Sequence, residues 1–325
     1  MQGILVLKPR KKCLKILRAL ILVCTMVLVC GVYVCLRRTH IERKRELFEF
    51  QVIKRPRPNN LLYPKRQTLN RYVCARIPMH LFVIVSMQRS GSGWFETLLN
   101  SHMNVSSNGE IFGQLNRRQN VSSIIETLDS VYNLELLTSS SKNQCSAAIG
   151  FKWMLNQGLM QHPNEIVDYF AKRGVSVIFF LRRNMLRRLV SILANSYDKD
   201  AKLLNGVHVS HVHSHQEALT LSRYKPTINI TSLESDLGEM ESTVMKALDY
   251  FNSTRHIIVY YEDLIKNPSS KLIQVEEFLK VGRMKLSSQQ VKIHKGALSE
   301  HINNWDDVNK TLSGTMYERF LRAEY

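Results

Sequence analysis

Hydrophobic and polar positions follow three regimes along this chain. Residues 19–36 contain no charged side chain across 18 positions. As a helix rising about 1.5 Å per residue they would measure about 27 Å, close to the hydrocarbon thickness of a bilayer. Residues 37–80 are basic, carry Pro56, Pro58, Pro64 and Pro78, and show no period, which predicts an extended stem. From residue 81 the pattern becomes globular. Residues 81–85, 147–153, 175–181 and 256–261 are short apolar runs rich in β-branched and aromatic residues, and they predict buried strands. Helical spacing occupies 94–99, 122–132, 164–173, 186–195, 239–251 and 269–279, with Ser122 and Ser123 as start signals and Gly174 as a stop. Residues 199–230 are polar and aperiodic and predict one long loop.

Strands that alternate with helices imply a three-layer α/β domain, a parallel sheet with helices on both faces. The predicted organisation is a basic tail over 1–18, a transmembrane helix as an uncleaved signal-anchor over 19–36, a stem over 37–80 and a folded domain over 81–325. Lys8, Arg10, Lys11, Lys12, Lys15 and Arg18 precede the apolar run and favour a cytosolic N-terminus. A cleaved signal peptide is the competing reading, but the run is long for one and small residues at a cleavage site are missing.

The net charge of +18 changes little once located. Residues 1–66 hold 16 Lys and Arg against 3 Asp and Glu, whereas the remaining 259 hold 29 against 24. The basic excess sits in the tail and stem, so no nucleic-acid partner is expected. Outside the span and its flank only Cys74 and Cys145 remain; they form one disulfide or stay two free thiols. Cys13 lies beside the span, where acylation is open to it. Sequons at Asn104, Asn120, Asn229, Asn252 and Asn309 suit a secretory-pathway glycoprotein.

The candidate chemistry lies at predicted strand ends, where ligands of open α/β sheets bind. After the first strand comes Arg89-Ser90-Gly91-Ser92-Gly93-Trp94, then a helix. That geometry aims backbone N–H groups and a helix N-terminus at one point where an anion can sit, with Arg89 as a cationic fork. An ordinary βα loop is the alternative. No Gly-Lys-Ser/Thr closes the loop, which argues against an ATP-hydrolysing or kinase-type site. After the third strand, Arg183 is followed eight residues later by Ser191, about two helical turns, a fork plus a hydroxyl for a second anion. A solvated basic helix start is the alternative here.

Together these motifs resemble the sulfotransferase family that uses 3′-phosphoadenosine 5′-phosphosulfate (PAPS), in particular the carbohydrate branch shared by bacterial nodulation-type and plant Golgi-type enzymes. Residues 150–152, 261–264 and, more loosely, Lys295-Gly296 with Asn304-Trp305 resemble further family blocks. The resemblance spans 80–310 in order. It implies a P-loop-NTPase-like sheet, the 5′-phosphosulfate on Arg89, Ser90, Gly91, Ser92, Gly93 and Trp94, and the 3′-phosphate on Arg183 and Ser191, with Lys295 also at the nucleotide. It further implies PAPS as co-substrate with no metal required, a glycan or glycoconjugate acceptor, and a Golgi membrane protein with a lumenal catalytic domain. A homodimer stays open. Where many cytosolic members have lysine this chain has Arg89, which stays charged and serves electrostatically rather than as a proton donor.

The acceptor hydroxyl must lose a proton, so a base is needed near the transferred group. Glu110 is the candidate, after the first helix, and His102, at that helix's end, the alternate. Lys152 is placed to neutralise the sulfonate or an acidic acceptor. His208, His211, His213 and His215 read as an acceptor-side or inert loop before a metal site, lacking cysteine or helical spacing. Two other classes remain open: a membrane-anchored glycosyltransferase or kinase-like enzyme using another nucleotide, and a lumenal protein that binds the nucleotide without transferring anything. One nucleotide can bridge both anion sites only if Arg89 and Arg183 open on the same side of the sheet.

Overall fold

The central strand is β1, His80–Ser86, whose Leu81 to Ser86 are all buried. A strand covered on both faces needs apolar residues at every position, which its run supplies. The computed structural model describes residues 79–136 and 146–322, together with Thr25, Met26, Cys30 and Gly31. Those four are helical, but the rest of the predicted span, the stem, Cys13, Cys74 and Cys145 lie outside the described residues. Among the described residues no helix is long and apolar enough to cross a membrane. The chain divides into two units, Met1–Gln51 and Val52–Tyr325, and the sheet belongs to the second.

Five strands form one sheet in the order β2-β3-β1-β4-β5, every neighbouring pair parallel. The others are β2 (Val105–Ser107), β3 (Ala148–Met154), β4 (Ser176–Leu181) and β5 (His256–Tyr260). The expected three-layer sheet is present, with one strand more than the sequence predicts. β2 is three residues long, too short to show a period, and exists by pairing with β3 at the edge. Gly150 lies opposite Phe82, and a Cβ there would stand 2.3 Å from the Phe82 carbonyl oxygen.

Alternation sends the two sets of strand side chains to different layers. Phe82, Ile84, Ile178, Phe180, Ile257 and Val259 face α1 (Ser92–Ser101) and the later C-terminal helices. On the other face Phe151 and Trp153 meet Phe112, and Phe151 meets Tyr132 of α2 (Val121–Tyr132). Phe179 meets Phe251, which also touches Phe170 of α3 (Pro163–Arg173). Asn120 caps α2 with Ser123 as its reciprocal partner, earlier in the chain than Ser122 and Ser123 as caps predict.

Helix α4 (Met185–Ala201) runs six residues past the predicted end at Asn195. The predicted long loop contains α5 (His215–Ser222). Helix α6 (Leu233–Tyr250) starts earlier than the pattern suggests, and α7 (Tyr261–Lys266), α8 (Pro268–Leu279) and α9 (Trp305–Leu312) complete the fold. Val212, Ala218 and Leu221 form a small separate core with Leu203, Leu204, Val291 and Ile293, and Val212 bridges Val291 antiparallel. The stretches around 203–221 and 291–293 are thereby tied to one another. The strand order changes direction at β1, so the crevice of such a sheet opens over the C-terminal ends of β1 and β4.

Candidate active site

A cleft of about 550 Å³ occupies that crevice. Its floor is the turn between β1 and α1. Gly91, the N-cap of α1, has φ 89°, and a Cβ on it would come 2.6 Å from the Tyr261 ring. No side chain caps α1, so its first N–H groups have no helical acceptor and face the cleft beside Gly91, Ser92, Gly93 and Trp94. Trp94 meets Tyr261 edge to face at 6.0 Å and both line the wall. Ser90 lies beneath the turn, buried, its hydroxyl without a hydrogen-bond partner.

Arg89 enters the cleft from a left-handed backbone, φ 63°. Its Nε donates to Ser191 Oγ at 2.9 Å, and one terminal nitrogen donates to Asn195 Oδ1 and the Ser210 carbonyl. Burial, and then Arg182, push its pKa down to about 10, which leaves it cationic at neutral pH. Ser191 therefore meets Arg89, not Arg183.

Arg183 is the main departure from the sequence-based expectation. Consecutive residues leaving β4 point to opposite faces. Arg182 turns to the α1 side, 4.9 Å above the Tyr261 ring, and donates to the Arg89 carbonyl. Arg183 turns to the other side, 3.7 Å over Tyr260, where Asp263 binds its guanidinium. It does not line the cleft; Arg182 and Arg187 do. Glu262 accepts from the backbone N–H of Arg183 and Asn184 and so fixes the start of α4. The requirement that Arg89 and Arg183 share a side fails for Arg183 and is met by its neighbour.

Lys295 is exposed and lies outside the cleft, contributing its carbonyl to His301. The nearby Lys292 and His294 line it instead. Burial, with Arg187 and Arg182, brings Lys292 down to about 8. Burial and His301, with nearby arginines, bring His294 to about 3. His294 Nε2 and His301 Nδ1 are buried without partners, their rings edge to face at 5.2 Å.

Of the two candidate bases, Glu110 lines the cleft and His102 does not. The Glu110 carboxylate lies 3.4 Å from Lys152 Nζ and accepts from the Gln157 amide at 2.9 Å. Gln157 sits in a π-helical turn, Leu155–Leu159, just after β3. His102 is buried, its Nδ1 accepting from the Asn104 N–H and its Nε2 2.7 Å from the Gly282 carbonyl, so both ring nitrogens are engaged. A sequence shows only a histidine at a helix end; the Gly282 partner is 180 residues away.

Of the loop histidines, His208 pairs with Asp198 and His211 enters the cleft. The His211 ring takes the space a side chain at Gly93 would need, 2.4 Å from a Cβ there. Burial, Lys152 and Arg89 lower its pKa to about 4, so it is a neutral imidazole. Among the described residues no group of three or more His, Cys, Asp or Glu is placed to hold a metal ion. Six cationic side chains (Arg89, Lys152, Arg182, Arg187, Lys199, Lys292) and one carboxylate (Glu110) line the cleft. It suits a polyanion and offers one proton acceptor beside one ammonium.

Residues 80–317 match the family model described as Sulfotransferase domain. A relative named Nodulation protein H from Rhizobium tropici is 22% identical over 247 residues, covering 75% of this chain and 93% of its own. Another of that name from Rhizobium meliloti (strain 1021) is 23% identical over 253 residues, covering 75% and 96%. Among solved structures, a sulfotransferase from Alicyclobacillus acidocaldarius has 13% identity and a TM-score of 0.37, covering 66% of this chain and 85% of that one. Mouse sulfotransferase SULT7A1 complexed with PAP has 12% identity and a TM-score of 0.34, covering 63% and 61%.

Proposed function

The chain belongs to the sulfotransferase domain family, and from that premise we propose that it moves a sulfuryl group from PAPS to a hydroxyl of a glycan or glycoconjugate in the Golgi lumen. The observation that carries the reaction is the convergence of Arg89, Arg182, Arg187 and the uncapped N-terminus of α1 on one cleft that also holds Glu110 and Lys152. The site fits the nucleotide: the cations answer its phosphates, the Gly91 turn leaves backbone N–H groups bare, and the buried Ser90 hydroxyl lacks a partner. The lumenal and membrane-anchored part of the proposal is supported by the uncharged run 19–36, its basic flank and the five sequons.

When bound, PAPS supplies an activated sulfuryl group. The chain's arginines hold the phosphates and bias the site toward negative charge, while Trp94 and Tyr261 wall it from solvent. Lys152, on the floor, faces charge that builds on the transferring group. Glu110, whose side chain is 37% exposed, would take the acceptor's proton as the new oxygen–sulfur bond forms. Arg89 stays protonated throughout and contributes charge and direction, not a proton.

The test is transfer of radiolabelled sulfate from PAPS to a polysaccharide panel by the full-length chain. Glu110→Gln should bind 3′,5′-phosphoadenosine as wild type does and lose about 100-fold or more in turnover. No transfer to any acceptor by the wild type would overturn the proposal, and normal turnover in Glu110→Gln would remove Glu110 as the base.

A further inference from the structure

Behind Glu110 lies a second carboxylate that the reaction as described leaves without a task. Glu96, on α1, is 7% exposed, and a carboxylate that deep persists only where it is paired. Both its oxygens are used. Oε1 accepts from the Ser107 hydroxyl at 2.6 Å and from the Gly109 N–H at 3.0 Å, and Oε2 lies 3.0 Å from Lys152 Nζ. Lys152, 5% exposed, stands between Glu96 and Glu110, nearer to Glu96.

We propose that Glu96 is a positioning residue for transfer: it fixes Lys152 as a standing cation on the cleft floor and takes up its charge, leaving Glu110 a carboxylate able to receive the acceptor's proton. The inference rests on the roles given above to Glu110 and Lys152. Its logic is a charge count. One ammonium shared by two carboxylates leaves one negative charge, enough for one proton. With Glu110 alone, Lys152 would form a closed pair and the base would be quenched. The Gly109 bond adds a second function, because it holds the turn that delivers Glu110 from the end of β2. In the transfer step the acceptor O–H bond breaks, its proton goes to Glu110, the oxygen–sulfur bond forms, and the bond to the leaving phosphate breaks with its electron pair staying on that phosphate. Glu96 touches none of these atoms and acts through Lys152 and the turn. Burial by itself would pull the lysine down, but the charges of Glu96 and then Glu110 outweigh it and hold Lys152 above its ordinary pKa.

Glu96→Gln separates this role from a structural one, since the amide keeps the side chain's size and an oxygen for Ser107 and Gly109 but removes the charge. We expect kcat to fall about 10–100-fold with KM for PAPS within about twofold, measured by labelled-sulfate transfer to heparosan, chondroitin and dextran. The alkaline limb of the pH profile should move to lower pH, because the cation then loses its main support. On a Lys152→Met background Glu96→Gln should cost nothing further. Ser107→Ala, which removes only the structural bond, should leave the profile in place. Titration of Lys152 Nζ by NMR reads the same shift without turnover, so a variant that is folded but inactive still decides the matter. Unchanged kcat and profile in Glu96→Gln, or an equal loss with and without Lys152, would overturn the inference alone. A wild type inert toward every acceptor would instead overturn the assignment of the reaction.

Discussion

Gly91→Ala is the sharpest test of how the turn between β1 and α1 is built. Two costs are independent. At φ 89° an alanine Cβ is strained, by about 1–2 kcal/mol. The same Cβ would stand 2.6 Å from Cδ2 and 2.7 Å from Cε2 of Tyr261. That ring cannot step aside cheaply, because Trp94 meets it at 6.0 Å, Phe180 at 6.5 Å and Arg182 covers its face at 4.9 Å. Overpacking of this kind costs about 1–3 kcal/mol, so the sum is about 2–5 kcal/mol against a total stability of about 5–15 kcal/mol. For a domain of this size that lowers Tm by roughly 5–20 °C. The double variant with Tyr261→Ala relieves the clash but not the backbone, so it should be about 1–3 kcal/mol less destabilised than the two singles summed. Thermal unfolding followed by circular dichroism, with calorimetric titration of 3′,5′-phosphoadenosine, measures both. A Gly91→Ala protein that melts within about a degree of wild type and binds the nucleotide equally well would refute the geometry of the turn.

Two further outcomes separate the cations of the cleft. Arg182→Ala should weaken 3′,5′-phosphoadenosine about 10–100-fold, the worth of a charge-assisted contact, whereas Arg183→Ala, half exposed and paired with Asp263, should change it by less than about threefold. The reverse order in a titration would return the phosphate to Arg183. Lys292, held at about 8 by burial and two arginines, is cationic below that pH and neutral above it. Affinity for the nucleotide should therefore fall about five- to tenfold as pH rises from about 7 to 9, and Lys292→Arg should flatten the fall. A wild-type affinity constant over that range would remove Lys292 from the phosphate site.

The sheet was readable because its strands are buried on both faces and so print themselves as unbroken apolar runs; β2, with three residues, carries no such print. Helix ends were less readable where polar faces blur the period, as in the last turns of α4. At the site, Arg89, the 91–94 turn and Ser191 line the cleft and belong to local motifs, and Glu110 lines it from the turn after the first helix. Arg183 and Arg182 are a different case. Strand alternation, with Phe180 facing α1, puts Arg182 on the cleft side, a signal the sequence contains, while the Arg183…Ser191 spacing drew attention to its neighbour. Glu96, Lys292 and His294 take their places through contacts distant in sequence that no local pattern announces, whereas His211 belongs to a histidine cluster the sequence shows, without showing that it alone of the four enters the cleft. His102 is held in the same way, by the Gly282 carbonyl far along the chain.

The small apolar cluster around Val212 and Val291 gives the cleft a jaw with its own hinge of stability. It carries His211 and Lys292 beside a small core that, among the described residues, is separate from the cluster on the α1 face of the sheet. The jaw is tied to the arginine side of the cleft, since Arg89 donates to the Ser210 carbonyl and Lys292 lines the same cleft, so a substitution there is felt on both sides. A sequence that rebuilt the jaw would have to keep the Ser210 carbonyl and the Lys292 ammonium in place for Arg89 and its cationic neighbours to stay as they are.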